Sequence, residues 1–153
     1  MDLHRVAARL CAESRVFDGL SRLLAWLDDA GCPWGVVTNK PEYLTLPLLD
    51  ALGLAARSAC TVSGDSLPVR KPDPGPLLLA CDIAGIDAWR SIYVGDAARD
   101  IEAGLAAGMG TIAAAYGYIT EDDDPRAWGA DILASDTEEL AQIVRKAVNL
   151  EGK

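Results

Sequence analysis

Two carboxylates, Asp96 and Asp100, fall in the segment Ser91-Ile92-Tyr93-Val94-Gly95-Asp96-Ala97-Ala98-Arg99-Asp100. The apolar run ahead of them reads as a buried parallel strand, and the residues after Gly95-Asp96 read as a helix. Asp96 then stands at the carboxyl end of a strand, where open α/β sheets place their ligands. Asp100 falls in the first helical turn, near the same mouth. Two carboxylates so placed suit a hard cation held by oxygen ligands, Mg2+ above all. The plainer reading is the commoner one for such a segment: a Gly-Asp turn and an acidic first helical turn, which the helix dipole favours.

Two further segments add polar groups of a different kind. In Trp34-Gly35-Val36-Val37-Thr38-Asn39-Lys40-Pro41 an apolar strand ends in Thr38, and Pro41 suits the first turn of a new helix. The ordinary role of Thr38 and Asn39 there is to cap that helix. In Val69-Arg70-Lys71-Pro72-Asp73-Pro74, Lys71 precedes a proline-rich turn and a helix start. A lone lysine is ordinarily just solvated. In order, though, strand-Thr, Lys-Pro and strand-Gly-Asp-x-x-x-Asp form a specific combination.

These residues need strands and helices in alternation to hold them. Leu20, Leu23, Leu24 and Leu27 predict an amphipathic helix stopped by Gly31. A strand at Trp34 to Val37 comes next. A helix from Pro41 to Leu52 then carries Leu44, Leu48 and Leu52 on one face, is kinked at Pro47 and is stopped by Gly53. A short strand at Ala59 to Val62 leads into the loop Ser63 to Ser66. After it come the Lys71 turn, a helix from Pro74 to Ala84, the strand Ser91 to Val94, and a helix from Asp100 to Ala107 ending at Gly108. Two more strands lie at Thr111 to Ala115 and Asp131 to Ala134. The last helix has Leu140, Ile143, Val144, Ala147 and Val148 on one stripe, with Ser135 and Glu138 as a capping box. Such alternation predicts an α/β fold, a doubly wound parallel sheet with helices on both faces.

Composition narrows the function classes. The chain of 153 residues is long enough for one domain with a real core. Half of it is hydrophobic, yet no apolar run approaches a membrane span, and Asp2, His4, Arg5 and Arg9 break any signal-peptide core. A net charge of -9 makes nucleic acid and anionic membranes poor partners. Cys11, Cys32, Cys60 and Cys81 are widely spaced, as reduced thiols of a cytoplasmic protein are. His4 is the only histidine, which excludes a Ser-His-Asp triad or a histidine metal cluster within one chain. Nucleotide-binding glycine loops are missing. Ser63 to Ser66 reads as a polar loop rather than an anion site. The acids Glu121 to Asp124 lack calcium-loop spacing and read as a solvated loop. Tyr116-Gly117-Tyr118 either lines the mouth or packs in the core.

The ordered set Thr38, Lys71, Asp96 and Asp100 resembles the haloacid-dehalogenase-like phosphatases, over nearly the whole chain from Phe17 onward. Within them it is similar to the phosphoglycolate phosphatase branch. Trp34 to Pro41, Lys71 to Cys81, Gly117-Tyr118-Ile119 and Trp128-Gly129-Ala130-Asp131 are especially similar to bacterial N-acetylmuramic acid 6-phosphate phosphatases. The resemblance implies a Rossmann-like core and Mg2+-dependent hydrolysis of a small phosphorylated metabolite through an aspartyl-phosphate. It makes Asp96 the direct metal ligand, and Asp100 the holder of a metal-bound water or the residue that orients Lys71. Thr38 and the Asn39 N–H would bind phosphoryl oxygens, and Lys71 would offset the gathered negative charge. The family's first motif, a strand ending Asp-x-Asp-Gly-Thr whose first Asp is the nucleophile, is absent from these residues. Asp18-Gly19 instead matches the turn before the helix that leads to the Thr38 strand.

The expectation is therefore a core over residues 16–153, preceded by a cap-helix remnant over 1–15. That core would be incomplete at its N-terminus, lacking the strand that the family places between the Thr38 and Asp96 strands. The edge so exposed would favour self-association. Two readings stand: a phosphomonoesterase whose nucleophile lies outside this chain, or a non-catalytic phosphate- and metal-binding or subunit protein. A phosphomutase is a weaker third.

Overall fold

The computed structural model describes residues 14–51, 53–115 and 123–151. Residues 1–13 of the expected cap remnant, with His4 and Cys11, and the Tyr116 to Tyr118 segment lie outside them. Helix α1 (Ser14–Asp29) leads to strand β1 (Val36–Val37) and helix α2 (Glu42–Ala51). Strand β2 (Thr61–Val62), helix α3 (Gly75–Ala84) and strand β3 (Ile92–Gly95) come after. Helix α4 (Ala98–Ala106), strand β4 (Gly110–Ala114), strand β5 (Ile132–Ala134) and helix α5 (Thr137–Glu151) complete the order.

All strand pairing is parallel, as expected, but it falls into two sheets, β1-β2 and β3-β4-β5. Val36 pairs with Thr61, while Tyr93 pairs with Thr111 and Ile112 with Ile132. β1 and β3 do not pair with each other. A cleft of about 840 Å3 runs between the sheets, lined by Trp34, Val37, Leu77, Tyr93, Val94 and Val144 among others.

The period-two alternation of the strands sorts side chains into two cores. Val36, with Trp34, Ile112 and Ala134, packs against Leu23, Leu24 and Leu27 of α1, Leu49 of α2 and Leu140 of α5. Val37, Val62 and Tyr93 face the other way, onto Leu77 and Ala80 of α3 and Ala103 and Ala107. Helices therefore cover both faces, and the strand ends that carry Thr38 and Asp96 project at one rim.

Three local expectations are corrected. Asp18-Gly19 lies inside α1 rather than in a turn. A helical glycine costs about 1 kcal/mol, whereas each buried leucine of the α1 face contributes about 1.5–3. In α2 the inward residues are Thr45 and Leu49, both fully buried, while Leu44 is exposed. The Thr45 hydroxyl donates to the Lys40 and Pro41 carbonyls, which lets a polar residue face the core. The cap of α5 is Asp136, whose Oδ1 accepts from Glu139 N at 2.7 Å, one residue later than the expected Ser135 box.

Candidate active site

Thr38 comes directly after β1 and is buried. Its Oγ1 accepts from Lys40 N at 3.1 Å. A hydroxyl fixed as acceptor keeps its own proton to donate. Neither Thr38 nor Asn39 caps α2 by a side-chain bond to its first residue. That donor, Glu42 N, bonds Asp65 Oδ1 at 2.9 Å, from the loop after β2. The Ser63–Ser66 loop bonds within itself and to Lys40: Ser63 N donates to Ser66 Oγ and Gly64 N to the Lys40 carbonyl. It is a structural loop, as expected. A Cβ at Gly64 would overlap the Asn39 carbonyl, so only glycine admits this approach.

Asn39 does something the sequence reading did not foresee. Its Oδ1 accepts from Lys71 N at 3.1 Å and its Nδ2 donates to the Lys71 carbonyl at 3.3 Å. The side-chain amide thus grips the backbone of Lys71 and fixes where that residue enters the site.

The Lys71 side chain is fully buried. Its ammonium donates to Asp100 Oδ1 at 2.8 Å, Tyr93 Oη at 2.9 Å and the Val37 carbonyl at 3.3 Å. A buried charge requires such partners, since isolated ions are strongly disfavoured away from water. Asp100 occupies the third position of α4. Its other oxygen, Oδ2, accepts from Asp96 N and Ala97 N, each at 3.1 Å. Burial pushes the Asp100 carboxyl up, but the charge and hydrogen bond of Lys71 outweigh this and hold it below the ordinary carboxylate range. Gly95 makes the arrangement possible, because a Cβ there would overlap the Asp100 Cβ.

Asp96 is buried at the end of β3. The structure thus brings Thr38, Asn39, Lys71, Asp96 and Asp100 to the carboxyl ends of β1 and β3. Among the described residues no group of three or more histidine, cysteine, aspartate or glutamate side chains gathers as a ready metal cage. The available donors are carboxylate and hydroxyl oxygens, which fit a hard cation. Both oxygens of Asp100 are already engaged, which suits it to orienting Lys71.

Tyr93 and Gly95 are site residues that the sequence reading missed. The signal for Tyr93 was a tyrosine inside an apolar strand, where a buried hydroxyl must find a partner.

A family profile for haloacid dehalogenase-like hydrolase matches residues 2–108. The chain belongs to this family. Curated relatives include a phosphoglycolate phosphatase of Xanthomonas campestris pv. campestris, 48% identical over 138 residues, covering 90% of this chain and 62% of the relative. An N-acetylmuramic acid 6-phosphate phosphatase of Pseudomonas aeruginosa is 44% identical over 146 residues, covering 95% of this chain and 65% of the relative. The chain thus spans less than two thirds of the length of these relatives. Among solved structures, a predicted phosphoglycolate phosphatase of Haemophilus somnus superposes with a TM-score of 0.73 at 30% identity, covering 81% of this chain and 55% of that one. The sequence resemblance is thereby borne out at family level, as is the Rossmann-like α/β fold. Within a haloacid-dehalogenase-like hydrolase, buried Lys71 and the carboxylates beside it lie where strand ends gather.

Proposed function

We propose that this chain carries the phosphate- and metal-binding part of a Mg2+-dependent phosphatase of small phosphomonoesters. Phosphoglycolate and sugar phosphates such as N-acetylmuramic acid 6-phosphate are the substrate class. The observation that carries the reading is the buried Lys71 ammonium, held 2.8 Å from Asp100 beside Thr38 and Asp96. A cation so fixed offsets the charge of a phosphoryl group and neighbouring carboxylates together. The Thr38 hydroxyl donates to a phosphoryl oxygen. Asp96 would hold Mg2+ directly, with Asp100 acting through a bound water and through Lys71. Mg2+ bound there supplies neutralisation of phosphoryl charge.

The covalent step belongs to a carboxylate outside these residues, carried on a strand between β1 and β3. It displaces the alcohol at phosphorus, and water then cleaves the acyl phosphate to release inorganic phosphate and restore the carboxylate. The cleft between the two sheets and the lack of β1–β3 pairing support this placement. The same uncovered edges favour self-association of the isolated chain. The reading includes a cytoplasmic location, and among the described residues no helix is long and apolar enough to cross a membrane.

The test is Mg2+-dependent phosphate release from phosphoglycolate and N-acetylmuramic acid 6-phosphate. It compares the chain alone with the chain joined to a segment bearing Asp-x-Asp-Gly-Thr. Release only with the segment is expected. Turnover by the chain alone would instead assign attack to a carboxylate such as Asp18 or Asp65. Phosphate binding without turnover in either form favours the non-catalytic binding protein.

A further inference from the structure

Lys71 and Asp100 do not complete the buried polar group by themselves. Tyr93 reaches across from β3 to β1, and its hydroxyl donates to the Val37 carbonyl at 3.0 Å. Val36 N and Thr38 N donate to the Cys60 and Val62 carbonyls on the β2 side. In a pleated strand the backbone groups of Val37 therefore face the other way, toward β3. The tyrosine hydroxyl, anchored on that carbonyl, presents its lone pairs to the Lys71 ammonium at 2.9 Å. The ammonium also lies 5.5 Å from the centroid of the Tyr93 ring.

The ring is wedged in the second core with Leu77, Ala80, Ala103 and Ala107, and it is 7% exposed. Gly104 of α4 keeps that wedge tight: a Cβ there would come within 3.5 Å of the Tyr93 Cβ and 2.7 Å of the Thr111 methyl. Phenylalanine would fill the same space equally well. The hydroxyl is the part of Tyr93 that packing does not require.

We propose that Tyr93 is a positioning residue, whose hydroxyl, braced on the Val37 carbonyl, holds the Lys71 ammonium at the phosphate-binding rim. The consequence for phosphate rests on the proposed function above; the hold on Lys71 does not. Asp100 attracts the ammonium from the α4 side. Tyr93 opposes it from the sheet side, so the lysine is fixed in position instead of collapsing fully onto the carboxylate. A lysine is a flexible four-carbon stem with a point charge, and it needs such bracing more than a planar arginine does.

The test uses the chain and Tyr93→Phe, with two readouts. The first is the rate of Lys71 acetylation by acetic anhydride, measured by mass spectrometry and compared with exposed Lys146 as internal control. The second is affinity for inorganic phosphate by calorimetry. Tyr93→Phe is expected to speed Lys71 acetylation several-fold, leave Lys146 unchanged, and weaken phosphate binding about threefold to tenfold, the scale of one neutral hydrogen bond, because Tyr93 acts on phosphate only through Lys71. Uniform 3-fluorotyrosine keeps ring and fold while weakening the hydroxyl as an acceptor, and it should move both readouts the same way by less. Unchanged acetylation in both proteins overturns the proposal. So does faster acetylation with undiminished phosphate affinity where Lys71→Ala does lose affinity. If no form binds phosphate, the functional reading fails, while the acetylation rates still decide whether Tyr93 holds Lys71.

Discussion

Lys71 and Asp100 meet 2.8 Å apart with both side chains wholly removed from solvent. Breaking one half of a buried pair leaves the other half charged and unsatisfied, at a cost of about 3–5 kcal/mol. Lys71→Met should therefore lower the free energy of unfolding by about that much. The double variant Lys71→Met with Asp100→Asn should recover part of the loss, because asparagine carries no uncompensated charge and keeps an oxygen for the Asp96 and Ala97 amides. Denaturant unfolding of the two proteins checks this. Equal stability of the single variant and the parent would show that the pair is already hydrated.

Gly95 is set by contact. A methyl group there would overlap the Asp100 Cβ. Gly95→Ala should cost about 1–3 kcal/mol, the range for overpacking, and should displace Asp100 from the Asp96 and Ala97 amides. Thermal unfolding measures the first effect. Amide hydrogen exchange at Asp96 and Ala97 measures the second.

How much of this could be read in advance divides by range. Thr38, Lys71, Asp96 and Asp100 are legible because each sits at a junction that local pattern marks: an apolar run ending in a polar residue, or a proline-rich turn. The α5 stripe of Leu140, Val144 and Val148 is legible for the same reason. The grip of Asn39 on Lys71, and the reach of Tyr93 from β3 to Val37, join residues 32 and 56 positions apart. No periodicity encodes them. In α2 the leucine spacing puts Leu44 on the inner face, yet Leu44 is exposed and Thr45 and Leu49 are buried. Thr45 could face inward only because two carbonyls were within reach of its hydroxyl.

Asp28 gives a pH dependence. It accepts from Trp34 Nε1 at 2.8 Å and from Arg57 Nε at 2.8 Å. The Trp34 hydrogen bond first, and then Arg57, hold its carboxyl below the ordinary value. A carboxylate lowered in the folded state stabilises above its unfolded pKa, and that contribution is lost as pH falls through the lowered folded value. Asp28→Asn should therefore reduce stability slightly at neutral pH. The difference from the parent should shrink as pH drops through and below about 4, the ordinary carboxylate range. Urea midpoints of the two proteins across that range test the sign.

Metal binding should depend on Asp96 more than on Asp100's inner oxygen, which Lys71 already holds. Titration of Mg2+ should give weak binding by the parent chain and none measurable by Asp96→Asn. Equal binding by both would remove Asp96 from the site.

The central claim is that Thr38 and Lys71 form one phosphate site at the rim of β1 and β3. Calorimetric titration of inorganic phosphate into the parent, Thr38→Ala and Lys71→Ala tests it most directly. Lys71 meets a phosphoryl oxygen by exchanging its longest bond, to the Val37 carbonyl at 3.3 Å, for a charge-assisted contact of about 1.5–3 kcal/mol, against about 0.5–1.5 for a neutral hydrogen bond from Thr38. Lys71→Ala should thus weaken binding about tenfold or more, and Thr38→Ala by less. Phosphate affinity that is unchanged in Lys71→Ala, or reduced more by Thr38→Ala, would contradict the account.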